Sequence, residues 1–385
     1  MNEIELNIPT LDIEDFDLEE VEKSNGVEDE SGGALKYALI GSGQGGGRIA
    51  KAFFDLGYKK TVVFNTAESD LSLLELPENH KFHVDHQGGQ GAGKDQSKAR
   101  DAYQNRRQEI FNQLRGVFGE DVDRILICVG VAGGTGGGSV NTLVDIAQDY
   151  FTYIGRENAQ DRVGVIASLP TTGEVGSPQV ARNAYERIKS LWERAQAGDF
   201  APLIIVDNDK IKKLYPQLTV KKFWPTINNT VAGLFHVFNL LSTKNSNYTS
   251  FDPMDYDSIM KTKGCMIFGV TSVKDFDSET GISTALKNNL EKTLLAGGFD
   301  LSTASAAASI VVGGSNVYEE VAGLMDSIEY GFDTITTITG GAMLHRGIYE
   351  DPSKTNLVAY TIVGGLDAPA KRIEDLKKFL KKDNT

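Results

Sequence analysis

Short apolar runs that stop abruptly at glycine or small polar residues alternate along this chain with longer segments whose apolar residues recur at helical spacing. Tyr37-Ala38-Leu39-Ile40 stops at Gly41-Ser42-Gly43-Gln44-Gly45-Gly46-Gly47, Arg48 to Leu56 reads as a helix, and Thr61-Val62-Val63-Phe64 ends at Asn65-Thr66-Ala67. This is a β-α-β unit, and it predicts a parallel sheet with helices on both faces. Lys94 to Phe118 predicts one long amphipathic helix. Ile125 to Val129, Val163 to Ala167 and Pro202 to Val206 read as further strands, with a helix from Val140 to Tyr150 after the first of them. Strands that finish in glycine or small polar residues define one rim, and open parallel sheets hold ligands on that rim.

Phe223 to Thr243 predicts a long helix, with Val231, Leu234, Phe235, Phe238 and Leu241 on one face. Beyond it, strands are expected at Cys265–Val270, Ala307–Val312, Ile335–Ile338 and Leu357–Val363, with helices at Ala285–Leu295 and Tyr318–Ile328. They predict a second, smaller α/β domain, with the long helix as a spine between the two. Residues 370–385 are expected to form a basic amphipathic helix with Ile373, Leu376, Phe379 and Leu380 on one face. Docking on the second domain is expected of it, and a nucleic-acid, membrane or partner contact is the alternative.

The densest glycine cluster is Ala132-Gly133-Gly134-Thr135-Gly136-Gly137-Gly138-Ser139, between a strand and a helix. Glycines crowd where backbone amides must close on a bulky group, and amides opening a helix favour an anion, so a phosphate is the expected ligand. Thr135 and Ser139 add hydroxyl donors. Gly41-x-Gly43-x-x-Gly46 imitates the dinucleotide fingerprint, but Asn65 stands where that site needs an acid. Gly88-x-x-x-x-Gly93-Lys94 imitates a Walker A loop, but Asp95 replaces the metal-binding hydroxyl. His80, His83, His86 and Asp85 lie at a spacing that scatters the rings over both faces of a strand, so they read as surface residues and no metal cluster is expected.

The chain has 385 residues, 40% of them hydrophobic, enough for two cores. No apolar run reaches the ~20 residues of a membrane helix, and the acidic N-terminus is unlike a signal peptide, so a cytoplasmic location is expected. Cys128 and Cys265 sit in apolar runs and read as core residues. Of the net charge of −14, residues 1–34 carry −11: twelve acids against Lys23. That segment is expected to be a disordered acidic tail that can carry a partner-binding stretch. Direct nucleic-acid binding is not expected.

The order of these loops resembles the tubulin/FtsZ superfamily of polymerising GTPases over roughly residues 36–368. Gly133 to Gly138 resembles its signature loop; Gly43, Gln44, Gly45 and Gly46 its first phosphate loop; Asn65 and Thr66 its second; Gly91, Ala92 and Gly93 its third. Asn208 resembles the residue of the N-D-(K/R) stretch that contacts guanine, and Asn228 its partner on the central helix, with Asn229 competing for that place. Phe223 lies where an aromatic stacks on the base. Glu174 and Arg182 fall in the stretch resembling the ribose-contacting loop. Ser250-Phe251-Asp252-Pro253-Met254-Asp255 matches the catalytic N-x-D-x-x-D loop with Ser in place of Asn.

The resemblance implies a GTP-binding domain at 35–222, a central helix and catalytic loop at 223–257, and a second, GTPase-activating domain at 258–369. It also implies GTP/GDP and Mg²⁺ as cofactors, and head-to-tail self-assembly in which Asp252 and Asp255 reach the neighbour's nucleotide. An adaptor protein is expected at the N-terminal tail or the C-terminal helix. The residues alone leave other readings of the aspartates and loops open. Asp252-Pro253 is also a competent helix start, the loops would serve a scaffold that does not hydrolyse nucleotide, and the first loop would suit a dinucleotide-dependent oxidoreductase.

Overall fold

The computed structural model of the chain describes residues 30–84, 91–291 and 295–380. The first elements are β1 (Tyr37–Ser42), α1 (Gly43–Asp55), β2 (Thr61–Asn65), α2 (Glu68–Ser72), β3 (Lys81–His83), α3 (Gln96–Asn105) and α4 (Arg107–Phe118). Next come β4 (Arg124–Gly130), α5 (Gly134–Tyr153), β5 (Val163–Leu169), α6 (Pro178–Ala197), β6 (Leu203–Asp207) and α7 (Asn208–Leu214). The long α8 (Val220–Leu241) and α9 (Pro253–Met260) lead to β7 (Cys265–Val273), α10 (Gly281–Glu291), β8 (Ala306–Gly313), α11 (Ser315–Glu320) and α12 (Leu324–Ile338). The last are β9 (Met343–Glu350), β10 (Leu357–Leu366) and α13 (Ala370–Leu380).

Among the described residues, the ten strands belong to one sheet, in the order β3-β2-β1-β4-β5-β6-β7-β10-β8-β9. β1 to β6 are parallel, and β7 joins β6 in parallel through the pairs Leu203↔Cys265 and Ile204↔Met266. β10 runs antiparallel between β7 and β8, and β9 lies parallel to β8 at the outer edge. Burial on both faces explains the uninterrupted apolar runs. Along β1, Ala38 and Ile40 join the core that also holds residues of α4, α5, α6, α10, α12 and α13; Tyr37 and Leu39 join the core beneath α1, α8 and α9. α8 spans both halves: its Phe235 ring lies 5.7 Å from Phe53 of α1 and 4.5 Å from Phe268 of β7, and Phe238 lies 6.2 Å from Tyr360 of β10.

Several expectations are corrected. α1 begins at Gly43 and α5 at Gly134, so the glycine loops are themselves first helical turns; packing and exposed amides override the poor helix propensity of glycine. The helix expected from Lys94 to Phe118 breaks at Arg106, whose guanidinium donates to the His83 carbonyl and stacks 5.0 Å from the Phe82 ring centre. Ile335–Ile338 is the last turn of α12, because Leu324, Ile328, Phe332 and Ile335 bury one helical face, and this outweighs β-branched propensity. The helix expected at Tyr318–Ile328 is interrupted at Gly323, which sits at φ +76°. The strand that was not expected is β9.

Contacts with the body of the fold are made ahead of Leu35. Asn239 of α8 exchanges hydrogen bonds with the Leu35 backbone, and the Glu30 amide donates to Gly57. Tail residues 1–29 lie outside the described residues, as do Asp85, His86, the start of the Walker-like stretch and residues 381–385. His80 is buried against the Thr61 carbonyl, so it is no surface residue. α13 docks on α6, not on the second half: Leu376 is fully buried, and Arg372 pairs with Asp207 and donates to the Pro170 carbonyl.

At the opposite, N-terminal edge of the parallel strands, the buried Arg124 guanidinium donates to Asp257 (2.9 Å) and to the carbonyls of Asp161, Ala201 and Met260. This ties the end of α9 to the starts of β4 and β6. A buried cation is tolerated when its donors are matched in this way.

Candidate functional site

A cavity of about 300 Å³ lies at the C-terminal ends of β1, β4 and β5, where Ser42, Gly130 and Ser168 face it. The first turns of α1 (Gly43, Gln44, Gly45) and α5 (Gly134, Thr135, Gly136) open onto it, beside Gly133. The N-caps Ser42 and Gly133 make no side-chain cap bond, and neither first turn contains an acid. α3, α7 and α9 are instead capped by Asp95, Asp207 and Asp252. Each uncapped helix leaves backbone N–H groups without an intrahelical partner, at the positive end of its dipole. Two such ends converging on one cavity make a site for a polyanion.

The glycines divide into two kinds. Gly45 faces open cavity, with nothing nearer than 3.9 Å to a Cβ placed there. Gly46, Gly137 and Gly138 face protein: a Cβ on Gly46 would fall 1.9 Å from the Cys128 carbonyl oxygen, and on Gly138 2.3 Å from that of Gln96. These three hold α1 against β4 and α5 against α3 and do not line the cavity. Gly136 lines the cavity, yet a side chain there would meet Ser42 O at 2.9 Å. Its substitution would therefore act through the contact between α5 and the end of β1.

Polar groups fix this frame. The Ser42 hydroxyl contacts Ser139 (2.7 Å) and Tyr103 (2.9 Å), and Thr66 Oγ1 lies 2.6 Å from Thr135 Oγ1. Gln96 donates to the Val131 and Gly133 carbonyls, and Asn183 to those of Lys94 and Ala132. Gly91, Ala92 and Gly93 are outside the lining; Ala92 packs against Gly134, where a Cβ would stand 2.9 Å from its own. Asn65 is also outside the lining. It accepts from the Ala67 amide and donates to Asp70 Oδ2 (3.2 Å).

Asp70 does line the cavity, its other oxygen accepting from Gln44 (3.3 Å), and Arg48 lies nearby. The sequence reading missed both. A carboxylate facing a polyanion site repels the ligand unless a cation lies between them, so Asp70 fits a divalent metal that arrives with the phosphates.

On the far wall are Asn208, Asn228, Trp224 and Ile227, with both asparagines buried. Phe223 is not in the lining; Trp224 is, with the two rings 5.0 Å apart. Asn229 is exposed and lies outside it. The helical period accounts for both choices, since residues 224 and 228 are one turn apart on the same face of α8. That i, i+4 relation was available in the sequence. Glu174 lines the cavity while accepting from the Thr171 amide (2.7 Å) and hydroxyl (2.9 Å); Arg182 is exposed elsewhere.

Asp252 and Asp255 are not at this rim. They form a capping box on α9: Asp252 accepts from the Asp255 amide (2.9 Å), and Asp255 Oδ2 from the Asp252 amide (3.2 Å). Through Met260 and Asp257, α9 joins Arg124 at the start of β4, while Gly130 at the end of β4 lines the cavity. Seven residues of strand separate these ends by roughly 20 Å. Among the described residues, no cluster of His, Cys, Asp and Glu could hold a metal on its own, and no helix is long and apolar enough to cross a membrane.

Parallel strands ending in two uncapped, glycine-built helix starts, faced by an indole and buried amides, define a nucleotide-binding α/β protein. The chain belongs to the tubulin/FtsZ family: residues 36–216 match the family's GTPase domain, and residues 249–370 match the C-terminal domain of the tubulin-like protein TubZ. It is 24% identical to TubZ of Bacillus cereus over 292 residues, which cover 70% of this chain and 63% of that one. It is 24% identical to the tubulin-like protein CetZ of Pyrococcus abyssi over 354 residues, 90% of each chain. The fold matches a GTPγS-form protofilament of Bacillus thuringiensis serovar israelensis TubZ with a TM-score of 0.76, at 21% identity over 92% of this chain and 93% of that one. CetZ2 from Haloferax volcanii matches with a TM-score of 0.71, at 19% identity over 91% of this chain and all of that one. The expected α/β fold is borne out. The chain spans just under two thirds of the length of the TubZ relatives from Bacillus cereus and Bacillus anthracis.

Proposed function

We propose that this protein is a GTPase that assembles head to tail into cytoplasmic filaments and hydrolyses GTP between successive subunits. The phosphates would lie on the first turns of α1 and α5, Trp224 would stack on the base, and Asn208 and Asn228 would read the guanine edge. Mg²⁺ held near Asp70 and Gln44 would neutralise phosphate charge. Asp252 and Asp255 of the next copy would orient the water attacking the γ-phosphorus. The supporting observation is the placement of the amides and the carboxylates at opposite ends of one strand. No single copy can bring them together, whereas a head-to-tail contact can, and such a contact propagates as an open filament. Segregation of DNA, cell division and cell shape are the processes such a filament serves. With α13 docked on its own chain, the N-terminal tail is the better candidate for an adaptor.

A mixing series tests the shared site. Asp255→Ala should bind GTP and polymerise but release almost no phosphate, and its filaments should outlive those of the wild type. Trace amounts in wild-type filaments should slow disassembly out of proportion to their fraction. A strictly additive series with short-lived mutant filaments would overturn the proposal.

A further inference from the structure

We infer that His345 is a positioning residue for Asp255; this rests on the shared-site reading above. His345 lies on the edge strand β9, and its Nδ1 is 2.7 Å from Asp255 Oδ1. The other carboxylate oxygen of Asp255 is the one that accepts from the Asp252 amide. Asp255 is therefore held at both oxygens, from two different elements, while its side chain stays 28% exposed. Asp252 is exposed and is held only through the Asp255 amide. Of the two carboxylates, only Asp255 is fixed in orientation as well as place, and water orientation needs that precision.

The imidazole is itself oriented. Its Nε2 lies 3.2 Å from Ser258 Oγ, one turn along α9, and the Ser258 hydroxyl also reaches the Asp255 carbonyl at 2.8 Å. Because an ionised carboxylate only accepts, the hydrogen bond at Asp255 Oδ1 is donated by the imidazole from Nδ1. The segment from 246 to 258 is strung along the same strand. Thr249 bridges Ile348, the Ser246 hydroxyl donates to the Ile348 carbonyl, and the Tyr349 hydroxyl accepts from the Phe251 amide (2.8 Å) and donates to its carbonyl (3.2 Å). β9 is the rail on which the loop hangs, and His345 is its contact with the working carboxylate.

The test uses the full chain, with GTP binding, pelleted polymer and phosphate release measured separately. His345→Ala should lower turnover per polymerised subunit by roughly 10- to 100-fold, with nucleotide affinity unchanged. His345→Asn, whose amide nitrogen can take the place of Nδ1, should recover most of that loss. His345→Gln, whose amide reaches toward the Nε2 position, should not. Should the alanine variant fail to assemble, the asparagine and glutamine variants decide between themselves. Wild-type turnover in His345→Ala, or equal turnover in the asparagine and glutamine variants, would overturn the inference. Asp255→Ala, run alongside, separates the two failures: full turnover there would remove the shared site itself.

Discussion

The two rims of the sheet meet the same backbone requirement in opposite ways. At the cavity rim, α1 and α5 start without caps, on glycine, leaving their amides exposed to the cavity. At the other rim, α9 starts with a complete capping box made from the two acids that resemble the family's catalytic pair. An uncapped start is unstable unless a ligand supplies the acceptor; a capped start is stable alone and holds its carboxylates ready. One end of the molecule is therefore built to be completed by an anion and the other to present one.

The contrast can be broken residue by residue, beginning with the largest effect. Gly46→Val should unseat α1 from β4, since its side chain would enter the Cys128 carbonyl; a loss of about 3 kcal/mol or more is expected in a denaturant titration. Gly45→Val should leave the denaturation midpoint nearly unchanged while lowering GTP affinity at least tenfold, because its side chain would occupy only cavity. If instead the two variants behave alike, the division of the glycines fails.

Trp224→Ala should weaken nucleotide binding by about 1–3 kcal/mol, whereas Phe223→Ala should matter little; fluorescence titration ranks the two, and the reverse order would return the stacking role to Phe223. Smallest of all, Asp95→Ala should cost about 1 kcal/mol as the loss of a cap and leave turnover per folded subunit intact. Asp252→Ala should show a similar stability loss with turnover lost as well. Equal turnover in the two variants would reduce the capping box of α9 to a structural device.

The cavity rim was legible because glycine clusters after apolar runs admit few explanations. The division of labour within it was not, since whether a glycine faces a ligand or a carbonyl depends on which helix lies behind it. Phe223 and Trp224 are adjacent aromatics that the resemblance alone does not separate; counting one turn back from Asn228, along a helix that runs unbroken from Val220 through Pro225, does. Asp70 was hidden in a five-residue helix with no period to read. β9 escaped because Met343-Leu344-His345-Arg346 is an edge segment, three of its four residues partly buried and the first exposed, without the alternation that marks a half-buried strand. The docking of α13 was missed because an amphipathic face shows that a helix packs, not on what; Asp207 at the end of β6 and the Pro170 carbonyl just after β5 fix it in place through Arg372.

The separation along β4 also sets a rule of counting. In a row of identical copies facing one way, every internal junction unites one cavity with one capped helix, but the two ends are left with an unmatched cavity and an unmatched pair of acids. A row therefore holds one fewer complete site than it has bound nucleotides. In the proposed filament, the copy whose cavity faces outward would keep its triphosphate until another arrived. If the proposed shared site holds, average turnover per subunit would climb with filament length, and the end that still carried triphosphate would be chemically distinct from the rest without any change in sequence or modification.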